Sequence, residues 1–529
     1  MERSSGILMP MSSLPSNYGI GTLGKSAYKF VDFLKAAGQK YWQLLPLGPT
    51  SYGDSPYSPF SSFAGNPYFI DLDMLIKDGL LKAAEVKDLN WGDDAAKVDY
   101  GRIYQLRFPV LRQAYARGAE KYAQEIAAFR KENAGWLENY ALFMAVKAHF
   151  NMVSWTQWPD EDIRLRRPAA MAKYGRELKD DVDFYVFLQY LFYKQWNALK
   201  AYATEKGISF IGDVPIYVAM DSADVWSEPQ FFQLDEKNLP KAVAGVPPDA
   251  FTEDGQLWGN PLYDWPQHKA SGYAWWIRRV EHALTMYDRL RIDHFRAFDT
   301  YYAIPAGREN ARVGDWEYGP GMDLFRALEA KLGKLPIVAE DLGDLFESVR
   351  VLLKESGYPG MKVMQFAFGG TAENEYLPHN HIHNCVVYPG THDNTTLRDW
   401  LKNGDPKELA QAKNYLGLNA MEGSVRGFLR GVLSSCADLA VIPMADWLEL
   451  GAEGRINTPG TGMGNWTWRA KEDAFAPALA QRIRRTCARY GRCAPLPEPE
   501  QARPVVPVQK PAQKAEEPAE KTASKTAKE

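Results

Sequence analysis

The sequence predicts an α/β protein, a (β/α)8 TIM barrel with large, partly helical loop insertions. Two observations carry this. Eight short apolar runs end in polar or Gly/Pro residues, and helical periodicity follows several of them. The uneven spacing of the runs then says where the insertions lie.

The runs are Gly6–Pro10, Tyr41–Pro46, Ser209–Asp213, Leu290–Asp293, Pro336–Glu340, Lys362–Phe368, Cys385–Gly390 and Leu439–Pro443. Short apolar runs closed by turn residues suit strands covered on both faces. Ala27, Phe30, Val31 and Leu34 recur at helical spacing, with Gly38 placed to cap the end. Leu345, Val349, Leu352 and Leu353 repeat the pattern before Gly357. About 160 residues separate the second run from the third, and about 75 separate the third from the fourth. Helical signals over Ala83–Lys131, Trp136–Phe150 and Phe184–Lys206 make the first gap a helical subdomain rather than a structureless loop. The expected organisation is one catalytic barrel over 1–492, with insertions at about 50–205 and 220–285. A tail follows over 493–529.

That tail holds seven Pro, seven Ala, six basic and six acidic residues and no aromatic, so it is expected to be disordered. The rest has a globular composition, 46 % apolar and 24 % charged, which excludes collagen and coiled coil. A formal net charge of −4 gives no reason to expect nucleic acid or an anionic membrane as partner. No apolar run approaches the length of a spanning helix, and Met1–Ser13 lacks the pattern of a secretory leader. A soluble cytoplasmic protein is expected. Cys385, Cys436, Cys487 and Cys493 form no disulfide framework or zinc pattern. Aromatics are abundant, at 13 % with 16 Trp, so rings either fill the core or line a stacking surface.

Two motifs are discounted by context. Gly19–Ser26 fits the phosphate-loop pattern, but the preceding strand ends near Pro10 and Pro15 intervenes, whereas a phosphate loop leaves its strand directly. A loop entering a helix near Lys25 is expected instead. His379, His381 and His383 alternate, yet no acidic or Cys partner is spaced beside them, so a polar loop is expected rather than a metal site.

Barrel chemistry gathers at the C-terminal ends of strands. There the sequence places Asp213, Asp293, Glu340, His392 with Asp393, and Asp446. Arg291 shares a strand face with Asp293 and is placed to keep it ionised. Acidic barrel mouths serve either divalent metals or glycosyl transfer between two carboxyls. Rings separate these, because sugars stack on aromatic faces and metals gain nothing from them. Tyr52-Gly-Asp-Ser-Pro-Tyr57, Gly255-Gln-Leu-Trp258-Gly-Asn and Asn465-Trp-Thr-Trp468 crowd the loops, which favours glycosyl chemistry. Trp196, at helical spacing from Phe192, reads as core.

From about Gly6 to Arg492 the chain resembles the 4-α-glucanotransferases (amylomaltases, glycoside hydrolase family 77). The motifs that carry the likeness include Gly65-Asn-Pro-Tyr68, Gly212-Asp-Val-Pro-Ile-Tyr217, Pro247-Pro-Asp249, Arg291-Ile-Asp-His-Phe-Arg296, Ala339-Glu-Asp-Leu-Gly343, Gly390-Thr-His-Asp-Asn394 and Asn457-Thr-Pro-Gly460. The resemblance implies Asp293 as nucleophile, Glu340 as acid/base and Asp393 as transition-state stabiliser. Arg291 and His392 support them. It further implies substrate contacts at Tyr57, Asp213, Gln256, Trp258 and Asn465, and at Tyr52 in a more remote glucan site. The implied partners are an α-1,4-glucan donor and a glucose or maltooligosaccharide acceptor, with no cofactor and no metal. The implied reaction is a retaining double displacement, for which the carboxyls should stand about 5–5.5 Å apart. An α-amylase-like hydrolase, or a glucan-binding protein without catalysis, is the alternative. Pro389 departs from the family's usual Thr, and Ala445 from its usual Gln before Asp446.

Overall fold

The computed structural model describes residues 2–51, 53–248, 253–343 and 345–495. Twelve strands occur among them: β1 (Ser4–Leu8), β2 (Tyr41–Gln43), β3 (Ser209–Val214), β4 (Ala242–Val246), β5 (Gln256–Pro261), β6 (Arg289–Ile292), β7 (Thr300–Pro305), β8 (Asp315–Tyr318), β9 (Ile337–Ala339), β10 (Gly360–Val363), β11 (Cys385–Tyr388) and β12 (Leu439–Pro443).

Eight of them form one parallel sheet in the order β10-β11-β12-β1-β2-β3-β6-β9. These are the eight apolar runs of the sequence. The order returns on itself, and the Ala339 N–H donates to the Pro359 carbonyl (2.9 Å), bringing β9 against the start of β10 and nearly closing the barrel. Strands covered on both faces need no polar alternation, which is why β11 and β12 read as continuous apolar runs. The sixth strand starts two residues earlier than its run and ends at Val363, because Met364–Phe366 turn into a 3-10 helix.

The helix Lys25–Ala36 buries Ala27, Phe30, Val31 and Leu34 as its period requires. Its N-terminus settles the phosphate-loop question. A Cβ on Gly24 would lie 1.9 Å from Asp71 Oδ2, so that carboxylate occupies the space beside the first turn. Asp71 accepts from Thr22 Oγ1 (2.7 Å) and from the Met74 N–H (2.9 Å), and Lys25 points to solvent. The helix expected from Leu345 begins at Glu347, since Phe346 is still extended.

The gap between β2 and β3 holds a helical subdomain that includes Tyr100–Lys121, Ala123–Glu132, Leu137–His149 and Lys179–Glu205. Buried amides tie it to the loop after β2. Gln189 exchanges hydrogen bonds with the backbone of Gly65, and Gln195 with that of Asp71. Trp196 is wholly buried against Phe210 of β3, and Trp42, Trp155, Trp158, Trp226, Trp275 and Trp276 are also fully enclosed. Much of the Trp excess is therefore core.

A second sheet was not legible beforehand. It is antiparallel, in the order β5-β4-β7-β8, and takes strands from both sides of β6. Residues 496–529 of the tail lie outside the described residues, as do Tyr52 and Asp249. No described helix is long and apolar enough to cross a membrane.

Gly212 stands where a Cβ would come within 2.2 Å of the Tyr287 ring. Gly212→Ala should cost about 1–3 kcal/mol through overpacking, read as a lower urea midpoint at unchanged slope.

Candidate active site

Sheet register brings the strand-end residues together. Asp213 pairs with Arg291 across β3 and β6, and Ile292 pairs with Ala339 across β6 and β9. Asp293 and Glu340, the next residues on those two strands, are therefore neighbours. The Glu340 N–H donates to Ile292 O (3.0 Å) and the Asp293 N–H to Val214 O (3.0 Å), so backbone ladders fix both positions.

Arg291 lies buried between two carboxylates. Its Nη1 donates to both oxygens of Asp213 (2.8 and 2.7 Å) and its Nη2 to Asp293 Oδ1 (2.9 Å). Asp213 also accepts from the Tyr57 hydroxyl at Oδ2 (2.8 Å), and its side chain has no exposed surface. The Asp293 side chain is 30 % exposed, and its Oδ2 has no protein partner among the described residues. Burial opposes the charge on Arg291, but the two aspartates outweigh it and hold the guanidinium firmly protonated. Burial likewise raises the Asp293 carboxyl above the usual range, with Asp213 and Asp393 adding to the rise. Arg291 pulls it down as the sequence suggested, without cancelling the burial.

Glu340 differs. Burial and the neighbouring Asp293 push it up to about 7. Its oxygens accept from two backbone N–H groups, Oε1 from Leu342 (2.8 Å) and Oε2 from His294 (2.7 Å). These fix the carboxyl plane and moderate the rise. The His294 donor exists because its backbone is left-handed (φ +50), a conformation that costs a non-glycine residue about 1–2 kcal/mol. Trp258, on β5 and 37 % exposed, sets its ring edge-on to the His294 imidazole at 4.8 Å, and its Nε1 donates to Gln256 Oε1 (3.1 Å).

Asp393 follows β11. Its Oδ1 accepts from Asn457 Nδ2 (2.6 Å), its Oδ2 stands 3.3 Å from His392 Nε2, and Arg455 reaches its backbone carbonyl (3.3 Å). Tyr57 stacks on His392 at 5.1 Å, with Trp466 against both rings. Asn457, Arg455, His294 and Trp466 were not singled out from sequence. Three lie inside or beside motifs noted there, but nothing in a linear motif shows which carboxylate a side chain will reach.

Other predicted residues behave differently. Asn465 spends its amide on its own loop, accepting from the Thr458 N–H and donating to Thr461, and so sets the position of Trp466. Asp446 stands apart from the cluster. Its Oδ1 takes the Leu397 N–H (2.7 Å) at a helix start, and burial raises it to about 7. The ring nitrogens of His379 and His381 bond Tyr415, Ala372, Ser435 and Tyr376, while His383 is exposed. Among the described residues no three His, Cys, Asp or Glu side chains converge as a metal-binding group.

A family model described as 4-alpha-glucanotransferase matches residues 9–474. A 4-alpha-glucanotransferase of Clostridium butyricum is 50 % identical over 487 residues, covering 92 % of this chain and 100 % of its own. One from Thermus thermophilus is 45 % identical over 495 residues, covering 92 % and 98 %. Among solved structures, an amylomaltase from Streptococcus agalactiae in complex with acarbose superposes with a TM-score of 0.91 at 41 % identity. It covers 93 % of this chain and all of its own.

Arg291→Met removes the cation shared by Asp213 and Asp293, leaving buried charge unpaired at a cost of about 3–5 kcal/mol. Without it the Asp293 carboxyl, already raised by burial, titrates higher still in the folded state. The deficit in chemical denaturation should therefore be larger at about pH 8 than at about pH 5.

Proposed function

The chain belongs to the 4-alpha-glucanotransferase family, and on that premise we propose how its residues divide the chemistry of a retaining glucan transferase. Asp293 is the nucleophile, Glu340 the acid/base and Asp393 the group that stabilises the transition state. The supporting observation is that Arg291 bonds one of two neighbouring carboxyls and not the other. Arg291 favours the anion on Asp293, while Glu340, with no cation bonded to it, is held near 7.

Glu340 starts protonated. Its backbone donors orient the carboxyl, leaving the acid proton to point toward the glycosidic oxygen. Asp293 Oδ2 attacks the anomeric carbon as that proton moves, the leaving glucan gains a free 4-hydroxyl, and a covalent β-glycosyl ester forms. Glu340, now the base, takes the proton from the 4-hydroxyl of an acceptor. Attack on the ester releases Asp293 and restores an α-1,4 bond. Two inversions give net retention. Asp393, steadied by Asn457 and His392, meets ring hydroxyls, and its hydrogen bonds strengthen as positive charge develops at the anomeric centre.

Tyr57, Gln256 and Trp258 supply the faces and amides for sugar rings. Asp213 acts through Arg291, since its own oxygens are committed. Asn465 acts through Trp466. Trp258, packed on the residue that orients Glu340, helps to keep water from the ester so that a sugar hydroxyl intercepts it. The substrates are an α-1,4-glucan donor and a glucose or maltooligosaccharide acceptor. The Tyr52 assignment stays with the resemblance, and the barrel-plus-tail division of the chain stays a proposal.

Incubation with maltotriose alone should yield glucose and a ladder of longer products. Shorter sugars only would mean a hydrolase. Asp293→Asn should lower turnover by about 10³-fold or more while leaving the melting curve in place. The pH profile of kcat/KM should be bell-shaped. Activity falls as pH rises through about 7, where Glu340 loses its proton. It falls on the acid side as Asp293 gains one, above the usual carboxylate range.

A further inference from the structure

The parallel sheet has one seam that a main-chain ladder does not close. β9 and β10 stand at the two ends of the strand order, and among the described residues a single backbone bond crosses between them, from the Ala339 N–H to the Pro359 carbonyl. A parallel ladder would extend from that bond in both directions. On one side Pro359 has no N–H to give to β9. On the other, the Met361 N–H would go to the Ala339 carbonyl. It goes instead to Asp341 Oδ1, at 2.6 Å.

Asp341 is built into this seam and is only 5 % exposed. A Cβ on Gly360 would lie 2.5 Å from its Oδ2, so β10 passes the carboxylate with a glycine. Lys362, itself buried, brings its Nζ to 3.9 Å from the same oxygen and is paired with Glu375, which also takes Arg350 (3.2 Å). The carboxylate thus has a cation nearby without being drawn off the Met361 N–H. An amide bonded to a carboxylate is held more strongly than one bonded to the carbonyl it replaces.

The residue before Asp341 is Glu340. The residue after it, Leu342, gives its N–H to Glu340 Oε1 (2.8 Å). Toward β6 the main chain of Glu340 is fixed twice, by its own N–H on Ile292 O and by the Phe295 N–H on its carbonyl (3.0 Å each). Toward β10 no main-chain bond holds residues 340–342 among the described residues, and the Asp341 side chain takes that place. We propose that Asp341 is a positioning residue: by taking the Met361 N–H it closes the barrel beside the cleft and holds the turn that orients the Glu340 carboxyl. This rests on the reading of Glu340 as the acid/base.

The test follows maltotriose transfer by the full-length protein, with kcat and KM measured across pH. Asp341→Asn and Asp341→Ala remove the same charge, but only the first leaves an oxygen for Met361. Asp341→Asn should keep kcat within about threefold of the unsubstituted protein. Asp341→Ala should lose about 30-fold in kcat at unchanged KM. The alkaline limb of kcat/KM should lie about half a pH unit higher in Asp341→Ala than in Asp341→Asn, because a carboxyl that loses the Leu342 donor keeps its proton longer. Gly360→Ala, which pushes on the carboxylate with Asp341 in place, should reproduce the alanine kinetics, and it carries the test if Asp341→Ala does not fold. Equal kcat and equal limbs in the two Asp341 variants would overturn the proposal, even with a lowered melting temperature, since that pattern is a role in stability alone. So would unchanged kinetics in Gly360→Ala, or a loss in Asp341→Asn as large as that expected of Asp341→Ala. Glu340→Gln separates the two levels. Transfer that survives in it removes Glu340 as the acid/base, whereas its loss beside unaffected Asp341 variants overturns only the positioning role.

Discussion

Arg291 divides its guanidinium between two carboxylates, giving one nitrogen to both oxygens of Asp213 and the other to a single oxygen of Asp293. Only a planar fork can do this, and a lysine ammonium could not hold the two acids at fixed angles. Buried ion pairs are weak evidence for stability, and this one serves geometry. Contacts run on from Asp213 to the Tyr57 hydroxyl, from the Tyr57 ring to His392, and from His392 to Asp393. One connected path thus spans the cleft from Asp293 to Asp393, crossing three barrel strands and a loop. Anything that moves the arginine disturbs both ends.

The barrel was readable because it is built from the most legible kind of element. Strands such as Leu439–Pro443 and Cys385–Tyr388 are buried throughout, so every residue obeys the same constraint. The clustered carboxyls of Asp213, Asp293 and Glu340 were readable because they stand at the ends of neighbouring barrel strands. The second sheet was hidden for the opposite reason. β5 is largely exposed and β8 reads Asp-Trp-Glu-Tyr, so no apolar run marks either. Their pairing also joins residues that β6 separates in the chain. Site residues such as Asn457 escaped because their role is a single long-range hydrogen bond, which leaves no local pattern.

Glu340 shows how much of the site is backbone. Both of its oxygens are addressed by main-chain donors, and one of these depends on a left-handed histidine. Side-chain identity supplies the carboxyl, but main-chain shape orients it. The edge contact of Trp258 on His294 connects that orientation to β5, a strand outside the barrel.

The antiparallel sheet draws β4 and β5 from before β6, and β7 and β8 from after it. It is therefore not a cassette. An ordinary loop insertion can be excised or exchanged at its two ends, leaving the host fold untouched. Here, removing the segment ahead of β6 would leave a β7–β8 hairpin with an open strand edge close in sequence to Asp293, a surface prone to pairing with other chains. Recombination between relatives in this region would need to swap both flanks together with β6, so the unit of exchange is larger than the loop.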